Sequence, residues 1–157
     1  MRDCRGTGIQ MMAKKFASMV VGLVAGVAVI RSIEMFAAFL FPPPLGIDFS
    51  DPDALTQFMD RMPAGAFILV LLAHATGSFA AGFSISAMIR KTWWTGPLVV
   101  GALLNLAGIA NLILLPHPAW FACLDLPLYL PLAWLGARTG LPFFAHTPPS
   151  SPGQKAT

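Results

Sequence analysis

Four long apolar stretches dominate the chain, from about Phe16 to Phe41, Ala64 to Ile89, Pro97 to Leu115 and Ala119 to Ala137. Each reaches the roughly 20 residues that a helix needs to cross a hydrocarbon core of about 30 Å. Hydrocarbon offers no water to backbone N–H and C=O groups, so each stretch must satisfy them internally as a helix. The fold class that follows is all-α: a polytopic membrane protein built as a four-transmembrane-helix bundle. With 56% hydrophobic and 11% charged residues in 157, no soluble domain fits outside the spans. The chain divides into a basic segment over 1–15, a transmembrane domain over 16–138 and a Pro- and Ser-rich tail over 139–157.

Basic residues sort by loop. Arg2, Arg5, Lys14 and Lys15 precede the first span, Arg90 and Lys91 join the second to the third, and Arg138 follows the fourth. The loop from Pro42 to Pro63 holds Asp48, Asp51, Asp53 and Asp60 against Arg61 alone, and the turn after Leu115 has neither Lys nor Arg. The positive-inside rule then places both termini in the cytoplasm and the long loop outside, in a bacterial inner membrane. Topogenic Lys and Arg account for the net charge of +3, so nucleic acid is excluded as a partner. The partners expected are the bilayer and either a larger membrane complex or further copies of the chain.

The first apolar run is about 26 residues and leads into Phe41-Pro42-Pro43-Pro44, which is no cleavage site, so it is expected to be retained as a span. Met11 and Met12, just before Ala13-Lys14-Lys15, are alternative starts to Met1. Cys4 and Cys123 lie on distant segments with no redox or metal-knuckle spacing, which argues against a disulfide.

The first outer loop carries its own helix signal. Ser50 or Asp51 can cap it, Pro52 suits its first position, and Leu55, Phe58, Met59 and Met62 recur at i, i+3, i+4 and i+7. This predicts a short amphipathic helix on the outer surface or capping the bundle. Asp48-x-Ser50-Asp51-x-Asp53 lacks the central Gly and terminal Glu of a calcium loop. In the spans, Gly22 and Gly26 allow close helix approach and are expected to pack inside the protomer. Trp93-Trp94 and Trp120-Phe121 read as the two interfacial belts. Pro127 and Pro131 predict a bend in the fourth span and a freed carbonyl at Cys123.

Among Asp, Glu, Lys, Arg and His, the spans carry only Arg31, Glu34, His74 and Asp125, all in the outer half by the charge rule. Counting 1.5 Å per residue from the outer boundaries puts Arg31, His74 and Asn105 roughly 13 to 15 Å deep and Glu34, Asn111 and Asp125 roughly 6 to 10 Å deep. A charge at a span centre costs about 2.5 to 3.5 kcal/mol, so these groups must pair. Arg31 and Glu34, three apart, form an ion pair, and Asp125 needs either Arg31 or a proton.

The network either fixes helix register alone or lines an outward polar cavity for a proton, a cation or a small polar ligand. On the second reading the candidate residues are Arg31, Glu34, His74, Asn105, Asn111, His117 and Asp125. Glu34, His74, His117 and Asp125 form a conceivable metal set, but the two imidazoles differ in depth by more than about 10 Å and Arg31 repels a cation, so no metal is assigned. Haem fails on the same level mismatch, and no cofactor is expected. No strained Gly-x-Ser-x-Gly turn is present, and Cys123 beside Asp125 is a poor thiolate, which leaves no catalytic residue. Small multidrug exporters share the span count and a carboxylate in the first span, but here the loop is long, Arg31 neighbours Glu34 and the charge bias forbids dual topology. The expectation is an accessory or small-ligand-binding membrane protein. The alternatives are a proton-coupled transporter or channel protomer and a metal-dependent membrane enzyme.

Overall fold

The computed structural model of the chain describes the backbone of residues 4–89 and 93–143 and the side chains of 8–89 and 93–140. Among the described residues there are six helices and no strand: α1 (Cys4–Leu40), α2 (Pro52–Arg61), α3 (Ala64–Ile89), α4 (Thr95–Leu114), α5 (Ala119–Asp125) and α6 (Tyr129–Phe143). Four helical stretches are long and apolar enough to cross a membrane: Gly8–Leu40, Ala64–Ile89, Thr95–Leu114 and Ala119–Gly140, the last joining α5 and α6. The surface matches that solvent. Phe16, Val24, Met35, Phe39, Ile68, Leu106 and Ile113 all point outward, an apolar exterior compatible with an integral membrane protein.

Helix α3 is the centre of the bundle. It packs closely on α1 and α6 and more lightly on α4, while α1 touches α4 only slightly. Small residues make the close approaches possible. A Cβ on Gly26 would lie 2.9 Å from the Gly77 carbonyl oxygen, and one on Gly77 would lie 2.8 Å from that of Gly26. The Gly22–Gly26 face is thus spent on α3 within the protomer, as its spacing predicts. At the α3–α6 seam, a Cβ on Gly82 would run into the Ala133 carbonyl, and one on Gly136 into that of Phe79.

Several boundaries differ from the sequence reading. Helix α1 is continuous from Cys4, so Lys14 and Lys15 of the expected basic segment lie on the same helix as the first apolar stretch. Helix α6 continues to Phe143, past the expected start of the tail at Thr139. The tail over 144–157 and the basic pair Arg90-Lys91 lie outside the described residues. The fourth span is not one bent helix, because Leu126, Pro127 and Leu128 form a turn that separates α5 from α6. Neither Pro127 nor Pro131 has an N–H, so one rung of the helix ladder is missing in each of two successive turns.

The Pro42–Asp51 loop turns at Gly46, whose φ of +81° is the left-handed conformation that glycine tolerates. Asp51 caps α2 by accepting from the Asp53 N–H at 3.0 Å, and Asp48 accepts from the Ser50 N–H at 2.9 Å. Both carboxylates thereby serve local backbone. Helix α2 is not among the close-packed helix pairs. It meets the bundle through Met59, which is buried against Phe67 and Phe121. Phe121 is therefore a core residue rather than a member of an interfacial belt, while Trp120 remains exposed.

Candidate functional site

Three helices bring their ionisable groups to one place beside α3. His74 projects from the middle of α3, where Ala73, Gly77 and Ser78 keep its flank small. Its Nδ1 lies 2.6 Å from Asp125 Oδ1 and 2.9 Å from the Tyr129 hydroxyl. The hydroxyl in turn donates to Asp125 Oδ2 at 3.1 Å. With the phenol proton directed to the carboxylate, Nδ1 carries a hydrogen and donates to Asp125. The other ring nitrogen, Nε2, lies 3.6 Å from Glu34 Oε1, and Arg31 Nη1 donates to Glu34 Oε2 at 3.0 Å. The order is Arg31, Glu34, His74, Asp125, Tyr129. With both ring nitrogens protonated the cluster has two cations against two carboxylates, and with one it carries a single negative charge.

The break in the fourth span builds half of this arrangement. Asp125 ends α5 and Tyr129 opens α6, and the turn between them lets both reach His74. Asn105 on α4 donates to the Leu126 carbonyl at 2.6 Å, securing the turn. The freed carbonyl that gains a side-chain donor is thus Leu126, three residues beyond the expected Cys123. Gly108 on α4 leaves room for the phenol, since a Cβ there would collide with the Tyr129 hydroxyl.

Of the seven residues singled out in the sequence, Arg31, Glu34, His74 and Asp125 come together. His74 meets Asp125 and Arg31 meets Glu34, each a contact between residues expected in different tiers. Asp125 does not pair with Arg31 from across the bundle. Its partners are His74 and Tyr129, and Arg31 stays with Glu34. Asn105 belongs to the span break, not to the ion cluster. Asn111 and His117 stand apart from the ionic chain. The His117 ring donates through Nδ1 to the Leu115 carbonyl at 2.8 Å and stacks on Phe121 at 4.8 Å between centroids. Burial holds its basicity below the ordinary 6.5, so it is neutral at pH 7. The conceivable metal set of Glu34, His74, His117 and Asp125 does not converge, and no metal-binding group of three or more His, Cys, Asp or Glu side chains occurs among the described residues.

Tyr129 is the site residue that the sequence reading missed. It is the one tyrosine in the chain and follows Asp125 by four, the spacing that brings two side chains together across one helical turn. That spacing was the available signal. Ser78, one turn beyond His74, has a buried hydroxyl with no hydrogen-bond partner among the described residues.

A groove of about 750 Å³ adjoins the cluster. It is lined by Arg31, Glu34, Ala37 and Ala38 of α1, Phe67 and Val70 of α3, Asn111 of α4, His117, and Leu55, Phe58 and Met59 of α2. The cavity is not the polar one expected from the sequence. Its lining is largely apolar, with Arg31 and Glu34 as its charged pair. A second depression of about 570 Å³ lies between α2 and the Pro42–Ile47 loop, with Phe41, Phe58 and Met62 common to both.

No protein-family model, curated protein or solved structure matches this chain.

Proposed function

We propose that this is a small integral membrane protein of a bacterial inner membrane that binds a small, largely apolar ligand near the outer face. It acts as an accessory or ligand-binding component, with α2 as an amphipathic cover at the outer surface. The observation that carries this reading is the groove of about 750 Å³, a volume within the ~300 to 1,000 Å³ of small-molecule sites. Apolar walls with a few placed polar groups are the usual makeup of such a site, and here Arg31 and Glu34 supply them. A network that only fixed helix register would require neither the groove nor a loosely held helix over it.

The test is retention. The full chain, extracted into lipid nanodiscs and released for native mass spectrometry, should carry a bound small species. Val70→Trp, which puts a larger side chain into the groove lining, should lose that species while keeping its thermal midpoint within a few degrees. Equal retention by the two proteins, or none by either, would sink the reading.

A further inference from the structure

The ligand-binding reading leaves open which chemistry the groove selects, and Arg31 supplies the answer. Its side chain is 76% exposed although it lies midway along the apolar part of α1. A guanidinium offers five N–H donors, and among the described residues one of Arg31's is used, in the bond to Glu34. Donors left bare in hydrocarbon cost several kcal/mol, on the order of a charged group at a span centre. The same side chain lines the groove, so an acceptor seated there would complete it.

We infer that the groove takes an anionic amphiphile, its carboxylate or phosphate on Arg31 and a hydrocarbon chain against α2; this rests on the ligand-binding reading above. Glu34 does not offer the opposite choice. One of its oxygens already accepts from Arg31 at 3.0 Å and the other faces His74 at 3.6 Å, so a cationic head would have to approach the guanidinium itself. A carboxylate or phosphate instead meets a planar fork of donors, the geometry in which arginine binds such groups in two-point fashion. The chain then lies against Phe58, Met59, Phe67 and Val70. The same acidic chemistry is available from a free fatty acid or from an anionic lipid headgroup.

Binding of dodecanoate, dodecyl phosphate, dodecanol and dodecyltrimethylammonium to the full chain in phosphatidylcholine nanodiscs tests this. One dodecanoate or dodecyl phosphate per chain should bind at least tenfold more tightly than the other two. Arg31→Gln should erase that preference, and Arg31→Lys should retain part of it, which separates loss of charge from loss of fold. Adding phosphatidylglycerol to the discs identifies the source: displacement of dodecanoate assigns the site to a lipid headgroup, and persistence assigns it to a free acid. Binding of all four alike, unchanged by Arg31→Gln, would overturn the inference and leave the ligand-binding reading standing, whereas binding of none would overturn both. A protein partner held by wild type and lost in Arg31→Gln, with no amphiphile bound, would also overturn the inference.

Discussion

Asp125 is 1% exposed inside an apolar bundle, and two donors hold it there, the imidazole of His74 and the phenol of Tyr129. Removing one partner of a buried charge pair costs about 3 to 5 kcal/mol, because the other charge is stranded, whereas replacing both with apolar groups is often neutral. His74→Leu should therefore lower stability by about that amount. His74→Leu with Asp125→Leu should recover most of it, an interaction that a double-mutant cycle resolves. Reversible unfolding in mixed micelles of both single variants and the double is the measurement, and equal losses in His74→Leu and the double variant would show that Asp125 is not stranded when His74 is removed. The ionic residues were legible in the sequence because charge in a span is costly and stands out. The Arg31–Glu34 bond was legible too, since both residues lie on one helix, three apart. The partner of Asp125 was not, because it depends on where the fourth span breaks, and Tyr129 was overlooked because an aromatic in an apolar stretch carries no cost that marks it.

At the scale of elements, helix existence followed from apolar length, but the shape of the last span did not. Two prolines four apart can bend a helix or open it, and the choice rests on a tertiary donor, the Asn105 amide on the Leu126 carbonyl. No local pattern reports such a donor. Helix α2 was legible from its cap and its Leu55–Met62 stripe, yet its one buried anchor, Met59, is settled by Phe67 and Phe121. Packing of α3 on α6 depends on backbone contact rather than on side chains. A Cβ on Gly136 would collide with the Phe79 carbonyl, which is backbone and cannot rotate away, while a Cβ on Gly8 would meet nothing within 4 Å. Gly136→Ala should thus destabilise by about 1 to 3 kcal/mol, the usual cost of overpacking. Gly8→Ala, in an exposed helical position, should be neutral or slightly stabilising. Thermal midpoints in one detergent compare them, and a Gly136→Ala protein as stable as wild type would mean that the two helices separate without penalty.

For the whole molecule, function depends on which end of the bundle faces which compartment, and the fold constrains this without deciding it. Four helices long enough to cross would return the chain to its starting side, and ring contacts gather one end of the bundle: Lys15 of α1 lies over Trp93 at 5.0 Å, and Trp94, just before α4, lies 5.9 Å from Trp134 of α6. Helix α2, the groove and Arg31 sit toward the opposite end. The charge argument is independent of these contacts. Lys14, Lys15 and Arg138 fall at the Trp93 end, whereas the Pro42–Pro63 loop that holds α2 carries Asp48, Asp51, Asp53 and Asp60 with Arg61 as its single strong base. Short loops rich in Lys and Arg stay in the cytoplasm, so α2 is expected outside. In a background of Cys4→Ser and Cys123→Ala, Gln57→Cys should react with an impermeant maleimide added to intact spheroplasts. Thr95→Cys should react only after the membrane is opened. Both positions are exposed, so a difference between them reports sidedness rather than burial. Labelling of Thr95→Cys in intact spheroplasts, with Gln57→Cys silent, would invert the molecule and put the groove on the cytoplasmic side. An acidic amphiphile would then have to reach Arg31 from the inner leaflet, whereas the charge pattern requires it to come from the outer one.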